Sequence, residues 1–257
     1  MAAGGKSAGS GSQKIVDKAR SCLASVMLAL MLGWIVAVGL CSAEQIYFGN
    51  TICSSISQPA EEDEYLFSAV LGDKVLARMS RGSGSWYPSI QLHDPNGSLL
   101  CKDDLGNPTA EIENCDLLTS GTFRLTAYDY HGTGTGDYCV YVQRLNNPGS
   151  AAAISFEETK ATSIDSPAEM DTYSFAAKGG SSVRVRASRS SGSWYPSIRL
   201  YGPDGTLLCE DELGNPTAEI ENCPLPSDGK YSVLAYDYHG TGIGAYNFYL
   251  GCLTPPL

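Results

Sequence analysis

The chain repeats itself. From Ile56 to Leu145 it aligns without a gap on Ile164 to Leu253, at a fixed offset of 108 residues, and roughly 50 of those 90 positions are identical. Such a match marks a duplicated structural unit. Whatever fold one copy adopts, the other must adopt too, within about 100 residues. That length suffices to bury a core of its own. The longest shared blocks are GSWYPSI (Gly84–Ile90, Gly192–Ile198), LGNPTAEIENC (Leu105–Cys115, Leu213–Cys223) and AYDYHGTG (Ala127–Gly134, Ala235–Gly242). NNPGSAAA, Asn146–Ala153, joins the copies and has the Pro, Gly and small residues of a linker. The expected division is 1–43 as a leader, 44–145 as the first unit, 146–155 as the linker and 156–257 as the second unit.

Each copy reads as all-β. Apolar residues alternate in short runs: Tyr65, Phe67, Ala69; then Val75, Ala77, Met79; then Ile90, Leu92; then Phe123, Leu125, Ala127; then Tyr138, Val140, Val142. A period of two places one face of each strand in a core. Turn signals separate the runs: Leu71–Asp73, Asp94–Gly97, Leu105–Pro108 and Gly132–Gly136. Short strands at such spacing predict two tandem β-sandwich domains of jelly-roll type.

The first 43 residues differ. A basic cluster from Lys14 to Arg20 precedes an uncharged apolar stretch from Cys22 to Ala43. A basic flank orients such a segment with its N-terminus inside. Two readings stay open: a signal peptide cut after Ala43, with Cys41 and Ala43 as its small residues, or an uncleaved anchor helix. Both place residues 44–257 outside the cytoplasm, secreted or at the cell surface. The leader carries +3 of a net charge of −11, so the remainder carries −14. That charge argues against nucleic acid and anionic lipid as partners. Contact with membrane is expected only through the leader.

The order DxYxF (Asp63–Phe67), GD, PSIxLxDPNGxLL (Pro88–Leu100), DD, AxI, SGTFRLxAxDY (Ser120–Tyr130) and TGDYxVYV (Thr135–Val142) resembles the bacterial and archaeal pre-peptidase C-terminal (PPC) domain family. The resemblance covers about Asp63–Val142 and Asp171–Leu250. It implies a non-catalytic β-sandwich module of a secreted protein, such as is often appended to peptidases and other exported enzymes. The sequence departs from the common pattern in holding no peptidase segment, in its extra cysteines and in the inserted Trp-Tyr. Two functions follow: binding or adhesion at the cell surface, with an extracellular polysaccharide or protein as partner, or service as an accessory module to a separate secreted hydrolase.

Seven of the nine cysteines follow the leader. Cys101 and Cys115 recur as Cys209 and Cys223, and an oxidising compartment makes disulfides of both pairs. Cys53 and Cys139 are replaced together, by Ala161 and Asn247, which predicts that they pair with each other and leaves Cys252 odd.

Three sets of residues are site candidates. Asp94, Asp103, Asp104 and Glu111, with Asp211, Glu212 and Glu219 in the second copy, could ligate Ca²⁺ as hard oxygen donors, or could be solvated turn residues. Trp86 and Tyr87, with Trp194 and Tyr195, are adjacent pairs. Neighbours on a strand point to opposite faces, so either one ring of each pair is at the surface, open to a sugar or a partner, or the Trp caps the sandwich edge and the Tyr covers it. Tyr128–His131 and Tyr236–His239 offer Asp and His without any nucleophile motif and read as a hairpin turn. Asn96-Gly97-Ser98 is an N-glycosylation sequon.

Overall fold

The computed structural model describes residues 43–254, so the expected signal or anchor segment lies outside the described residues. The described chain is strands and turns, without helix. The first half forms β1 (Glu44–Gln45), β2 (Asn50–Ile56), β3 (Glu62–Ala69), β4 (Lys74–Arg81), β5 (Pro88–His93), β6 (Leu99–Asp103), β7 (Thr109–Asp116), β8 (Gly121–Asp129) and β9 (Gly136–Arg144). The second half repeats the series as β10 (Ala152–Ala153), β11 (Glu158–Ile164), β12 (Met170–Ala177), β13 (Ser182–Arg189), β14 (Pro196–Tyr201), β15 (Leu207–Asp211), β16 (Thr217–Pro224), β17 (Gly229–Asp237) and β18 (Gly244–Thr254).

These strands form four sheets. In the first half, β1-β3-β8-β5-β6 faces β2-β9-β4-β7; in the second, β10-β12-β17-β14-β15 faces β11-β18-β13-β16. Apart from the β5–β6 hairpin, successive strands from β2 to β9 alternate between sheets, in the order of a two-sheet jelly roll. The alternating runs read from the sequence supply the core: Tyr65, Phe67, Ile90, Leu92, Phe123 and Leu125 from one sheet meet Val75, Met79, Tyr138, Val140 and Val142 from the other. At the centre, Tyr65 and Tyr138 join hydroxyls at 2.7 Å, and Tyr138 donates to the buried Asp63 carboxylate. Tyr173, Tyr246 and Asp171 repeat the arrangement. Burial above all pushes both first-copy phenols well above their ordinary range, aided by the Asp63 charge at Tyr65 and by Tyr65 and then Asp63 at Tyr138, so they remain neutral donors.

All three expected disulfides are present: Cys53–Cys139, Cys101–Cys115 and Cys209–Cys223. Cys53 and Cys139 lie directly opposite in the β2–β9 ladder, and their replacements Ala161 and Asn247 are opposed in the same way in β11–β18. Cys252 is free. The segment expected as a linker is shorter than the sequence suggested. Ala152 and Ala153 form β10, parallel to β12, repeating β1 on β3. Asn146 is tied to Gly72 and Lys74, and Gly149 to Gln143.

The expectation of one buried face per strand fails in five places, β12 among them, where Met170, Thr172 and Ser174 are buried as well as Tyr173 and Phe175. β4, β9, β14 and β17 are likewise buried on both faces, whereas β13, the repeat of β4, alternates. The cause is a contact between the halves. The outer face of β4 and β9 lies on the outer face of β12, β14 and β17, and Leu76, Tyr141, Leu145, Met170, Tyr201 and Leu234 form a third apolar cluster there. Polar groups close around it. Arg78 donates to the carbonyls of Asp237 and Tyr238, both at 2.9 Å, and lies 4.8 Å from the Tyr236 ring centroid. Its Nε is 3.1 Å from Glu111. Arg199, its side chain 8% exposed, pairs with Glu111 of the first half and with Glu212, at 2.8 Å, of its own. Burial acts against the Arg199 charge, but the Glu111 carboxylate outweighs it and holds the guanidinium ionised.

Candidate functional site

The three longest blocks shared by the copies meet at one end of each sandwich. The loop after β4 carries Trp86 and Tyr87, and it interlocks with the loop between β8 and β9. Gly82 and Ser83 donate to the Asp137 carbonyl. Gly84 has φ +79°, and a Cβ there would stand 2.3 Å from the Thr135 carbonyl oxygen; one at Gly134 would stand 2.3 Å from the Trp86 Cβ. Glycine is therefore required on both sides of the junction. The third loop, between β6 and β7, joins through Gly106 N–H to the Pro88 carbonyl at 2.9 Å and through Arg81. Arg81 N–H bonds the Pro108 carbonyl, and its guanidinium reaches the Trp86 carbonyl and the Asn107 side chain. Asn107–Pro108 and Asn215–Pro216 are cis.

Asp129 fastens the assembly. Its carboxylate accepts from the backbone N–H groups of Tyr87 (3.0 Å), Thr133 (2.9 Å) and Gly134 (2.8 Å). Burial works against the charge, but these donors, with that of His131, outweigh it and hold the carboxyl below its ordinary range. Asp237 makes the same three bonds to Tyr195, Thr241 and Gly242. With its carboxylate so occupied, Asp129 acts on the backbone rather than on the neighbouring His131 ring.

Of the two readings of the Trp-Tyr pairs, the packing shows the one in which Trp caps the sandwich, not the one in which Trp86 and Trp194 face a ligand. Trp86 and Trp194 are 2% and 1% exposed. Each indole donates to a loop carbonyl, of Ser83 and Ser191, and meets a core tyrosine edge-on. These rings plug the ends of the sandwiches and cannot stack on a ligand. Tyr87 and Tyr195, each 38% exposed, are the surface rings. They have company that the sequence did not single out for this purpose. His131 lies edge-on to Tyr87 at 5.2 Å and to Tyr130 at 5.1 Å; His239 stands likewise between Tyr195 and Tyr238, at 5.3 and 5.1 Å. Tyr130 and Tyr238 are exposed, as are Leu105 and Leu213, which hold φ of 65° and 59°. The same outward set, Tyr-Tyr-His with a leucine on the adjoining loop, stands on both copies. Identity between the copies at exposed positions was the signal that could have found it.

The acidic residues named as possible Ca²⁺ ligands each have a partner within the protein. Asp94 accepts from Asn96 and Ser98 N–H within its own turn. Asp103 and Asp211 accept from Glu111 and Glu219 N–H, at 2.7 and 2.6 Å, across the disulfide-closed loops. Asp104 holds Tyr128 and Lys102. Glu111 and Glu212 are tied to arginines between the halves, and Glu219 lies 3.4 Å from Arg184. Asp103 and Asp104 thus diverge to separate partners, and the repulsion that would favour a cation is relieved. Among the described residues no three His, Cys, Asp or Glu side chains gather to hold a metal ion.

No protein-family model matches the chain, and no curated protein matches it. Solved structures similar to it include the pre-peptidase C-terminal domain of a Bacillus anthracis collagenase, at 17% identity over 40% of this chain and 97% of that one, with a TM-score of 0.34. Two periplasmic inhibitors of g-type lysozyme are also similar. The Aeromonas hydrophila protein shares 15% identity over 40% of this chain and 96% of its own, TM-score 0.32. The Salmonella Typhimurium protein shares 20% over 41% and 100%, TM-score 0.30.

Proposed function

We propose that this chain is an extracytoplasmic, non-catalytic binding protein built from two PPC-like modules, and that it holds a neutral polysaccharide by two copies of one aromatic surface. The observation that carries this reading is the convergence of the three shared blocks on Tyr87, Tyr130 and His131, and again on Tyr195, Tyr238 and His239. Core packing accounts for the retention of Trp86 and Asp129; it does not account for the retention of exposed rings. Tyrosine presents an apolar face with a polar tip, which suits the ring faces and hydroxyls of a sugar. Two identical sites on one chain suit a ligand that repeats. The acidic surface repels polyanions, which favours a neutral polymer. The three disulfides and the leader support an oxidising, extracytoplasmic setting. The occupied carboxylates of Asp129 and Asp237 support a surface that binds without catalysis.

Affinity electrophoresis through gels containing neutral polysaccharides tests the reading. The chain should be retarded by at least one of them, and Tyr87→Ala/Tyr195→Ala should restore free mobility with the melting temperature unchanged. Equal retardation of that variant and the wild type would remove the aromatic surface from the account.

A further inference from the structure

The contact between the halves sets both aromatic surfaces at one end of the body. Arg78, in the last half of β4, donates to the carbonyls of Asp237 and Tyr238 at the end of β17. Thr109, at the start of β7, donates to the His239 carbonyl at 2.6 Å. Gly240 of the same hairpin is buried there, and a Cβ on it would stand 2.4 Å from the hydroxyls of Ser80 and Thr109. At the other end of the contact the β14–β15 turn meets the entry to β4: a Cβ on Gly205 would stand 3.2 Å from the Lys74 side chain. The two sandwiches therefore lie side by side with their loop ends together.

One loop of the first copy runs between the two surfaces. Gly106 N–H bonds the Pro88 carbonyl next to Tyr87, Arg81 bridges the carbonyls of Pro108 and Trp86, and Thr109 reaches His239. From Gly106 to Thr109 a chain spans at most about 11 Å. The layering gives a similar scale. With about 10 Å between packed sheets, β1-β3-β8-β5-β6 and β10-β12-β17-β14-β15, whose ends carry the rings, stand about 20 Å apart. The matching loop of the second copy is at the outside. Its Thr217 bonds Ser188 of its own half at 3.1 Å, and Pro216 is exposed where Pro108 is half-buried.

The sense of the repeat matters as much as the spacing. A glycan chain has a direction. Two sites related by a two-fold axis would meet one chain in opposite senses. The contact here joins unlike faces, the outer face of β2-β9-β4-β7 to that of β10-β12-β17-β14-β15, so no two-fold relates the halves. With their loop ends together, the two surfaces repeat in the same sense. A chain crossing both would pass Asn107, which is exposed on the loop between them with its side-chain oxygen accepting from Arg81 at 3.3 Å. Its amide group is polar, as sugar hydroxyls require.

We infer that the two aromatic surfaces are the ends of one track, which takes a single segment of a neutral glycan chain, in one direction, across the Leu105–Thr109 loop with Asn107 as the middle contact. The inference rests on the reading of the aromatic surfaces as glycan sites. Isothermal titration calorimetry tests it with the disaccharides and hexasaccharides of β-glucan, xylan and mannan, the hexasaccharides being long enough to reach both surfaces. For the glycan that binds, two disaccharides should bind per chain but one hexasaccharide, the latter at least about 10²-fold more tightly, the lower end of the gain for linked sites. Asn107→Ala should weaken the hexasaccharide by roughly 2- to 10-fold, the worth of one hydrogen bond, and leave the disaccharide unchanged. Asn215→Ala, the same residue on the outer loop, should change neither. Both asparagines are exposed, and unchanged melting temperatures will show that the variants fold. Two hexasaccharides per chain at the disaccharide's affinity, or equal effects of Asn107→Ala and Asn215→Ala, would overturn the track and leave two separate surfaces standing. No heat from any of the three glycans would remove the surfaces themselves, and the track with them.

Discussion

Asp129 shows how much one side chain organises. Its three backbone hydrogen bonds join the Trp-Tyr loop to the hairpin between β8 and β9, so the exposed rings stand on a braced base. Asp129→Ala would leave buried N–H donors without an acceptor, at about 1–3 kcal/mol for each one stranded. Equilibrium urea unfolding checks this, and a loss below about 1 kcal/mol would mean that water replaces the carboxylate. The carboxyl is held below its ordinary range in the fold, so its contribution is complete above the unfolded value near about 3.9. The contribution is lost as the pH falls through the lower folded value. Asp129→Asn should therefore flatten the fall in melting temperature between about pH 5 and about pH 2 relative to wild type; an unchanged slope would place the acid sensitivity elsewhere. At this scale the sequence was half legible. Adjacent Trp and Tyr had to diverge, yet alternation could not say which turned inward. The choice follows from Gly134 and Gly136, whose bare backbone makes room for the Trp86 ring.

At the scale of elements, alternation and turns located the strands well, because a half-buried strand writes its period of two directly into the sequence. The repeat did as much for the disulfides: paired loss of Cys53 and Cys139 from the second copy reflects two positions opposed in one ladder. The carboxylates were less legible, since their backbone and arginine partners come from other strands. Non-reducing peptide mapping should recover Cys53–Cys139, Cys101–Cys115 and Cys209–Cys223. Cys101→Ala/Cys115→Ala opens a loop of about 15 residues and should cost about 3 kcal/mol in the chain-entropy model. A loss in the second copy's pair of the same size is expected, and a marked inequality would show that the loops are not equivalent.

At the scale of the molecule, the halves are one packed body, and the sequence hid this in plain view. Outer-face positions are apolar in one copy and polar in the other: Leu76 against Arg184, Met170 against Glu62, Leu234 against Thr126. Only the fold reveals that these positions meet. Placing first-copy residues there, as Met170→Glu/Leu234→Thr, should split a single calorimetric transition into two, because it buries a carboxylate against an apolar cluster. One undivided transition in the variant would mean that the polar clasp suffices. The packing also bears on binding, since it makes the two aromatic surfaces parts of one body. The most direct test is surface plasmon resonance on an immobilised neutral polysaccharide that retards the chain, comparing Tyr87→Ala, Tyr195→Ala and the double variant. Linked sites gain about 10²–10⁴-fold in apparent affinity when both engage. Either single variant should therefore fall to a weak, rapidly dissociating signal, and the double variant to none. Undiminished binding by the double variant would contradict the account.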